Sequence, residues 1–230
     1  MAAKKHATKK AVEAKVKVAE DIGKAITILG MGPSAAERRI DIEKYCSGTE
    51  VWSLNNAYLT YPHMIGKFGR FFELHRYEYL KTWECGAPCH FTELDKLGCE
   101  IWRTEALPII RNQKDFDIVK YCRHFKTNYF LGSPSLMLMV ALYEHDMGNK
   151  LSEIRSWGID TSDPSHSQQR QSWAFWIRAA HDRGIKLTGT SVAFYAEAEK
   201  DEGLNGLRES VGQILVNELE VEKQKQGDKL

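Results

Sequence analysis

Residues Ala25 to Ser34 read Ala-Ile-Thr-Ile-Leu-Gly-Met-Gly-Pro-Ser, a short apolar and β-branched run that stops at a glycine-bearing loop. A run of this length, closed by glycine and proline, predicts a buried strand rather than a helix. Glycine lets a backbone approach a ligand closely, and Pro33 suits the first turn of a helix whose free N–H groups favour a phosphate. The chain is thereby held to folds that set strand carboxyl ends beside helix amino ends. Gly30 and Gly32 fall short of the dinucleotide fingerprint, whose third glycine would stand where the chain has Ala35 or Ala36. Neither a flavin nor a nicotinamide cofactor is expected.

The rest of the chain repeats a rhythm of strand, then helix. Alternating or continuous apolar runs predict strands over 50–54, 70–74, 100–103, 128–131, 153–159 and 186–190. Helical spacing predicts a surface helix within 35–45, helices over 115–124 and 165–183, and a helix over 136–147 that is apolar nearly all round. Trp173, Trp176, Ile177 and Ala180 share one face of the 165–183 helix, so the tryptophans read as core rather than as a stacking platform. The fold class is α/β: a Rossmann-like, mostly parallel sheet flanked by helices over residues 25–196, with helical extensions at both ends.

Those extensions carry opposite charge. Residues 1–24 hold seven lysines against Glu13, Glu20 and Asp21, with Val12, Val16 and Ala19 at helical spacing; residues 197–230 hold nine acids against five basic residues. Leu207, Val211, Ile214, Leu215 and Leu219 form a seam, which is read either as a homo-oligomer contact or as packing on the chain's own domain. A net charge of +1 argues against a protein that coats nucleic acid with its whole surface, and nothing beyond the basic N-terminal arm points to nucleic acid. No apolar run approaches a membrane span and the lysine-rich start lacks the apolar centre of a signal peptide, so no membrane association and a cytoplasmic location are expected. Five cysteines read as reduced thiols; Cys85, Cys89, His90 and Cys99 are close enough to suggest zinc, but match no paired knuckle spacing.

Four motifs follow one another in a definite order: Gly-Met-Gly-Pro-Ser after the first strand, Ser-Leu-Asn-Asn after the second, Gly-Ser-Pro-Ser before the apolar helix, and Trp-Gly-Ile-Asp at 157–160. Gln169-Arg170 and Gly184-Ile185-Lys186-Leu187 come after them. In this order the chain resembles the MptE-like group of Rossmann-type proteins, which includes the 6-hydroxymethylpterin pyrophosphokinase type and phage-encoded members. It is also similar in motif order to bacterial sialyltransferases. The resemblance covers about residues 25–190. It implies a nucleotide or nucleotide-sugar ligand held by Gly30, Gly32, Pro33, Ser34, Asn55, Asn56, Gly132, Ser133, Ser135, Gln169 and Arg170, and, for a phage-encoded member, the host cytoplasm. The pyrophosphokinase-like members usually end the third strand in Asp, where this chain has Phe-Phe-Glu-Leu-His, leaving Glu73 and His75 in that neighbourhood.

Chemistry assigns provisional roles. Phosphate on the 30–34 amides needs neutralising charge, from Arg170 or from Mg²⁺ held by Glu73 or Asp160. His75, whose ordinary pKa lies near neutrality, is the candidate general base, and Glu73 and Asp160 complete the candidate catalytic set. The bland alternatives are that Asn55 and Asn56 cap a turn, that Asp160 caps a helix, and that His75 is a surface histidine. The leading expectation is a nucleotide-binding transferase. A phage-encoded protein that binds or sequesters a nucleotide without catalysis, and an assembly protein with a vestigial pocket, are the alternatives.

Overall fold

The computed structural model describes residues 23–36, 41–80, 87–107, 109–160 and 167–190. The expected N-terminal helix and the seam at 204–226 lie outside these residues. Seven strands form one sheet: β1 (Lys24–Leu29), β2 (Glu50–Leu54), β3 (Phe68–Phe72), β4 (Glu100–Arg103), β5 (Gln113–Asp115), β6 (Leu151–Trp157) and β7 (Lys186–Gly189). Every pairing is parallel, in the order β5-β4-β3-β2-β1-β6-β7. The chain therefore winds outward from β1 in one direction, then returns to place β6 on the other side of β1. That reversal opens a crevice at the carboxyl ends of β1 and β6, where α/β sheets bind their ligands.

Each strand alternates its side chains between two helical layers. Ile26, Ile28, Trp52, Leu54, Phe72 and Trp102 face the layer of α7 (Ser133–Asp146) and α8 (Ser167–His181). Leu29, Val51, Phe71 and Ile101 face the other layer, built from α2 (Ile42–Cys46), α3 (Ala57–Thr60), α4 (Tyr77–Leu80) and α5 (Ala87–Lys96). The all-round apolarity of α7 has a direct cause, since Met137 through Leu142 are wholly buried between the sheet and its neighbouring helices. Trp173 and Trp176 lie in the same core. Arg70 is threaded through it, with its guanidinium over the rings of Trp52 at 4.6 Å and Trp102 at 5.4 Å. A two-pronged pair with Glu144 (2.5 and 3.0 Å) ties β3 to α7 there, and Arg70 Nε–H also donates to Glu50 at 3.1 Å.

Several boundaries differ from expectation. The helix expected within 35–45 is split into α1 (Pro33–Ala36) and α2, the third strand runs two residues earlier than 70–74, and α6 (Ile118–Phe125) starts later than 115. β5 is an additional strand, polar and at the sheet edge. Residues 128–131 form no strand. Several of their backbone groups are taken by side chains instead: Leu131 N–H donates to Ser172 Oγ (2.8 Å), Tyr129 N–H to Thr127 Oγ1 (3.1 Å), and Trp176 Nε1–H donates to Tyr129 C=O (2.8 Å). A segment so occupied cannot join a ladder. No helix of the described residues is long and apolar enough to cross a membrane.

Candidate functional site

The crevice over β1 and β6 is a cleft of about 500 Å³. Three loops meet in it: Gly30 to Pro33 after β1, Gly158 to Asp160 after β6, and Gly132 to Pro134 entering α7; Leu54, Asn55, His75, Tyr79 and Gln169 complete its walls. Asn55 holds a left-handed backbone (φ 54), a conformation that costs a non-glycine residue about 1 kcal/mol. Its N–H donates to Phe72 C=O at 3.0 Å, and its Oδ1 is buried without a hydrogen-bond donor. Asn56 precedes α3 without capping it through its side chain and does not line the cleft.

Three amides of the loop after β1 are engaged within the protein. Gly30 N–H donates to Trp157 C=O (2.8 Å), Gly32 N–H to Gly158 C=O (2.7 Å) and Ser34 N–H to a carboxylate oxygen of Asp160 (2.5 Å). Ser34 Oγ in turn accepts from Gly158 N–H at 3.0 Å, and Tyr61 Oη–H donates to Gly30 C=O at 2.8 Å. Glycines here serve chain-to-chain contact. A Cβ on Gly30 would overlap Gly158 C=O, one on Gly158 would overlap Gly30 C=O, and one on Gly32 would lie 2.9 Å from Asp160 Cβ. Asp160 caps α1, which lies more than a hundred residues earlier in the chain. The anion expected on that helix terminus is the protein's own carboxylate.

The amino end of α7 is different. Gly132 stands before it at φ 86 with no side-chain cap, and Gln169 packs over the glycine, where a Cβ would lie 2.7 Å from Gln169 Oε1. Ser133 lines the cleft, whereas Ser135 is turned inward. Its hydroxyl is buried, accepts from Ser172 Oγ at 3.0 Å and faces Leu131 C=O, so it supports the loop rather than a ligand. Arg170 follows Gln169 on α8 and does not line the cleft.

His75 lies on the wall beyond β3. Its Nδ1 is 2.8 Å from Glu73 Oε1, its backbone N–H donates to the same oxygen at 3.2 Å, and its ring stacks on Tyr79 with centroids 5.2 Å apart. Glu73 is wholly buried, and its other oxygen is 2.8 Å from His90 Nε2. Burial pushes the Glu73 pKa up, but the hydrogen bonds from His75 and His90 outweigh it and hold the carboxyl at about 2. Arg103, buried alongside, lies over the Phe91 ring at 5.0 Å and donates to Glu105 C=O at 3.1 Å.

Both Glu73 oxygens are thus engaged by histidines, and Glu73 does not line the cleft. Of the two candidate Mg²⁺ ligands, Asp160 lines the cleft and Glu73 does not. Among the described residues no group of three or more His, Cys, Asp or Glu is placed to hold a metal. Of the zinc candidates, His90 is bound to Glu73 and Tyr58 and burial pushes the Cys99 thiol up to about 12, while Cys85 and the Cys89 side chain lie outside the described residues.

The depressed carboxyls make the fold sensitive to acid. Asp146, held by Arg183 and His124, and Glu153, which burial raises but Arg155, Thr188 and Lys186 lower further, both sit at about 2 like Glu73. Groups with lowered pKa stabilise the fold fully above their ordinary range and lose that stabilisation as they protonate in the folded chain. Urea midpoints are therefore expected to hold level down to about pH 5 and to fall steeply between about pH 4.5 and pH 2. A flat midpoint across that window would show that these carboxylates are not paired as described.

No family model, curated protein or solved structure matches the chain.

Proposed function

We propose that the protein is a nucleotide-binding transferase of the MptE-like or sialyltransferase-like kind, acting on a nucleotide or nucleotide-sugar donor. The observation that carries the reading is the buried Glu73 carboxylate holding His75 at the wall of a cleft that lies on the topological switch of a parallel sheet. With Nδ1 turned to a carboxylate, the neutral ring keeps its proton there, and Nε2 is the nitrogen that accepts one. In transfer, Nε2 takes the proton of an acceptor hydroxyl as its oxygen attacks, and Glu73 stabilises the imidazolium that results. Because Asp160 fills the amino end of α1, the donor phosphate is directed to the uncapped end of α7, beside the Ser133 hydroxyl. A Mg²⁺ arriving with the phosphates would find Asp160 as its protein ligand, and no step here passes through it.

Thermal denaturation against nucleoside mono-, di- and triphosphates and nucleotide sugars, with and without Mg²⁺, tests the reading. A binder at a hundredfold its Kd is expected to raise the midpoint by roughly 5–10 °C. Absence of stabilisation by every nucleotide would overturn it. One feature favours binding without turnover: the described cleft lining contains neither Lys nor Arg to meet a leaving phosphate. Recovery of the bound nucleotide unchanged after incubation with acceptors would select that second reading.

A further inference from the structure

Asn55 burdens the fold in two ways. Ten of the described residues have a positive φ, and eight of them are glycine; of the other two, Lys126 is the exposed C-cap of α6 and Asn55 stands on the cleft wall. Asparagine tolerates the left-handed region better than most residues, yet glycine enters it without strain. The second burden is Asn55 Oδ1, which is buried without a hydrogen-bond donor although buried acceptors are as a rule paired. What the fold uses at this position is the backbone. Asn55 N–H donates to Phe72 C=O at 3.0 Å, extending the β2–β3 ladder, and a glycine would donate equally well. The side-chain oxygen contributes no bond to the fold.

Asn55 follows β2, the strand beside β1, at the sheet edge where the cleft opens. In dinucleotide-binding sheets a residue in this region, beyond the glycine loop, accepts a hydrogen bond from the ribose 2′-hydroxyl. We infer that Asn55 is a specificity-determining residue that reads the ribose 2′-hydroxyl of the nucleotide: Oδ1 accepts from it, and the cleft selects ribonucleotides over 2′-deoxyribonucleotides. This rests on the reading of the cleft as a nucleotide site. An amide in this place keeps the acceptor of a carboxylate without its charge, so it takes a hydroxyl without repelling the phosphate. Because the protein already shields Oδ1 from water, the desolvation of that oxygen precedes binding, and the hydroxyl meets an acceptor with no bond to give up. A 2′-deoxyribose leaves the oxygen as it was. The discrimination is then the worth of one hydrogen bond to a buried acceptor, about 10–100-fold in affinity.

The test is calorimetric titration of the full-length protein with the 5′-monophosphates of adenosine, guanosine, cytidine and uridine, each beside its 2′-deoxy form. For whichever base binds, the ribonucleotide is expected to bind about 10–100-fold more tightly than its 2′-deoxy form. Asn55→Gly is expected to bring the ratio below about threefold by weakening the ribonucleotide alone, since it removes the acceptor and nothing else. The same variant, measured without ligand, is expected to melt about 2–6 °C higher than the native chain, because the backbone strain and the unpaired oxygen go together. Folding of the variant is therefore not at issue. Equal affinities in the native protein, or a ratio that survives Asn55→Gly, would overturn the inference. A lower melting temperature in Asn55→Gly would do so as well, by showing that the side chain supports the fold. No binding by any of the nucleotides overturns the function and this inference with it, whereas binding without regard to the 2′-hydroxyl overturns this inference alone.

Discussion

Gly158→Ala is expected to cost roughly 4 kcal/mol of folding stability, while Gly184→Ala costs about 1 kcal/mol. The two glycines have almost the same left-handed backbone, with φ of 71 and 73. A Cβ on Gly184 meets nothing within 4 Å, whereas one on Gly158 overlaps the Gly30 carbonyl and comes within 2.9 Å of Tyr61 Oη. The difference between the variants therefore isolates the close contact of the β1 and β6 loops from the cost of the backbone angle. Urea unfolding of both reads it directly. Equal losses would show that the loops can separate, and that the contact does not build the cleft.

His75→Gln is expected to lower turnover of the transferase reaction by about 10²–10⁴-fold, the usual range for a general base, while nucleotide affinity changes by no more than a few fold. Glutamine keeps a donor for Glu73 but cannot accept a proton. Single-turnover rates beside direct binding separate the two effects. Equal losses of rate and affinity would make His75 part of the binding wall and remove it from the chemistry.

Much of this fold is legible in the sequence where burial is two-sided. β2 and β4 fall where their apolar runs predict, because central parallel strands are buried on both faces and leave short continuous patterns. α7 shows its surroundings in being apolar all round. Legibility fails where partners are distant in the chain. Residues 128–131 have the composition of a short strand, but Ser172 and Trp176, more than forty residues away, take up part of their backbone. β5 is a polar edge strand, with no alternation to announce it.

The site divides in the same way. Placement of Gly30, Asn55, His75, Ser133 and Asp160 around one cleft follows from strand order, which the repeated motifs convey. What each residue does there depends on contacts across the sheet. Gly-x-Gly-Pro-Ser reads as a phosphate loop, but the amides of Gly30, Gly32 and Ser34 are taken by Trp157, Gly158 and Asp160, far along the chain. Glu73 reads as a carboxylate for the cleft, but its second oxygen faces His90, on a helix seventeen residues later. A lone histidine on an amphipathic helix carries no signal of such a role. Arg70 likewise stands in an unremarkable strand, and only the packing shows it between two tryptophans.

The central claim is that a nucleotide lies in the cleft between the β1 and β6 loops with its phosphate at the amino end of α7. Amide shift mapping of ¹⁵N-labelled protein titrated with nucleoside monophosphates and diphosphates tests it most directly. Saturable shifts are expected to concentrate at residues 30–32, 55, 132–133 and 158–160, with the largest at Ser133. Shifts that saturate on another face of the sheet, or none that saturate, would contradict it.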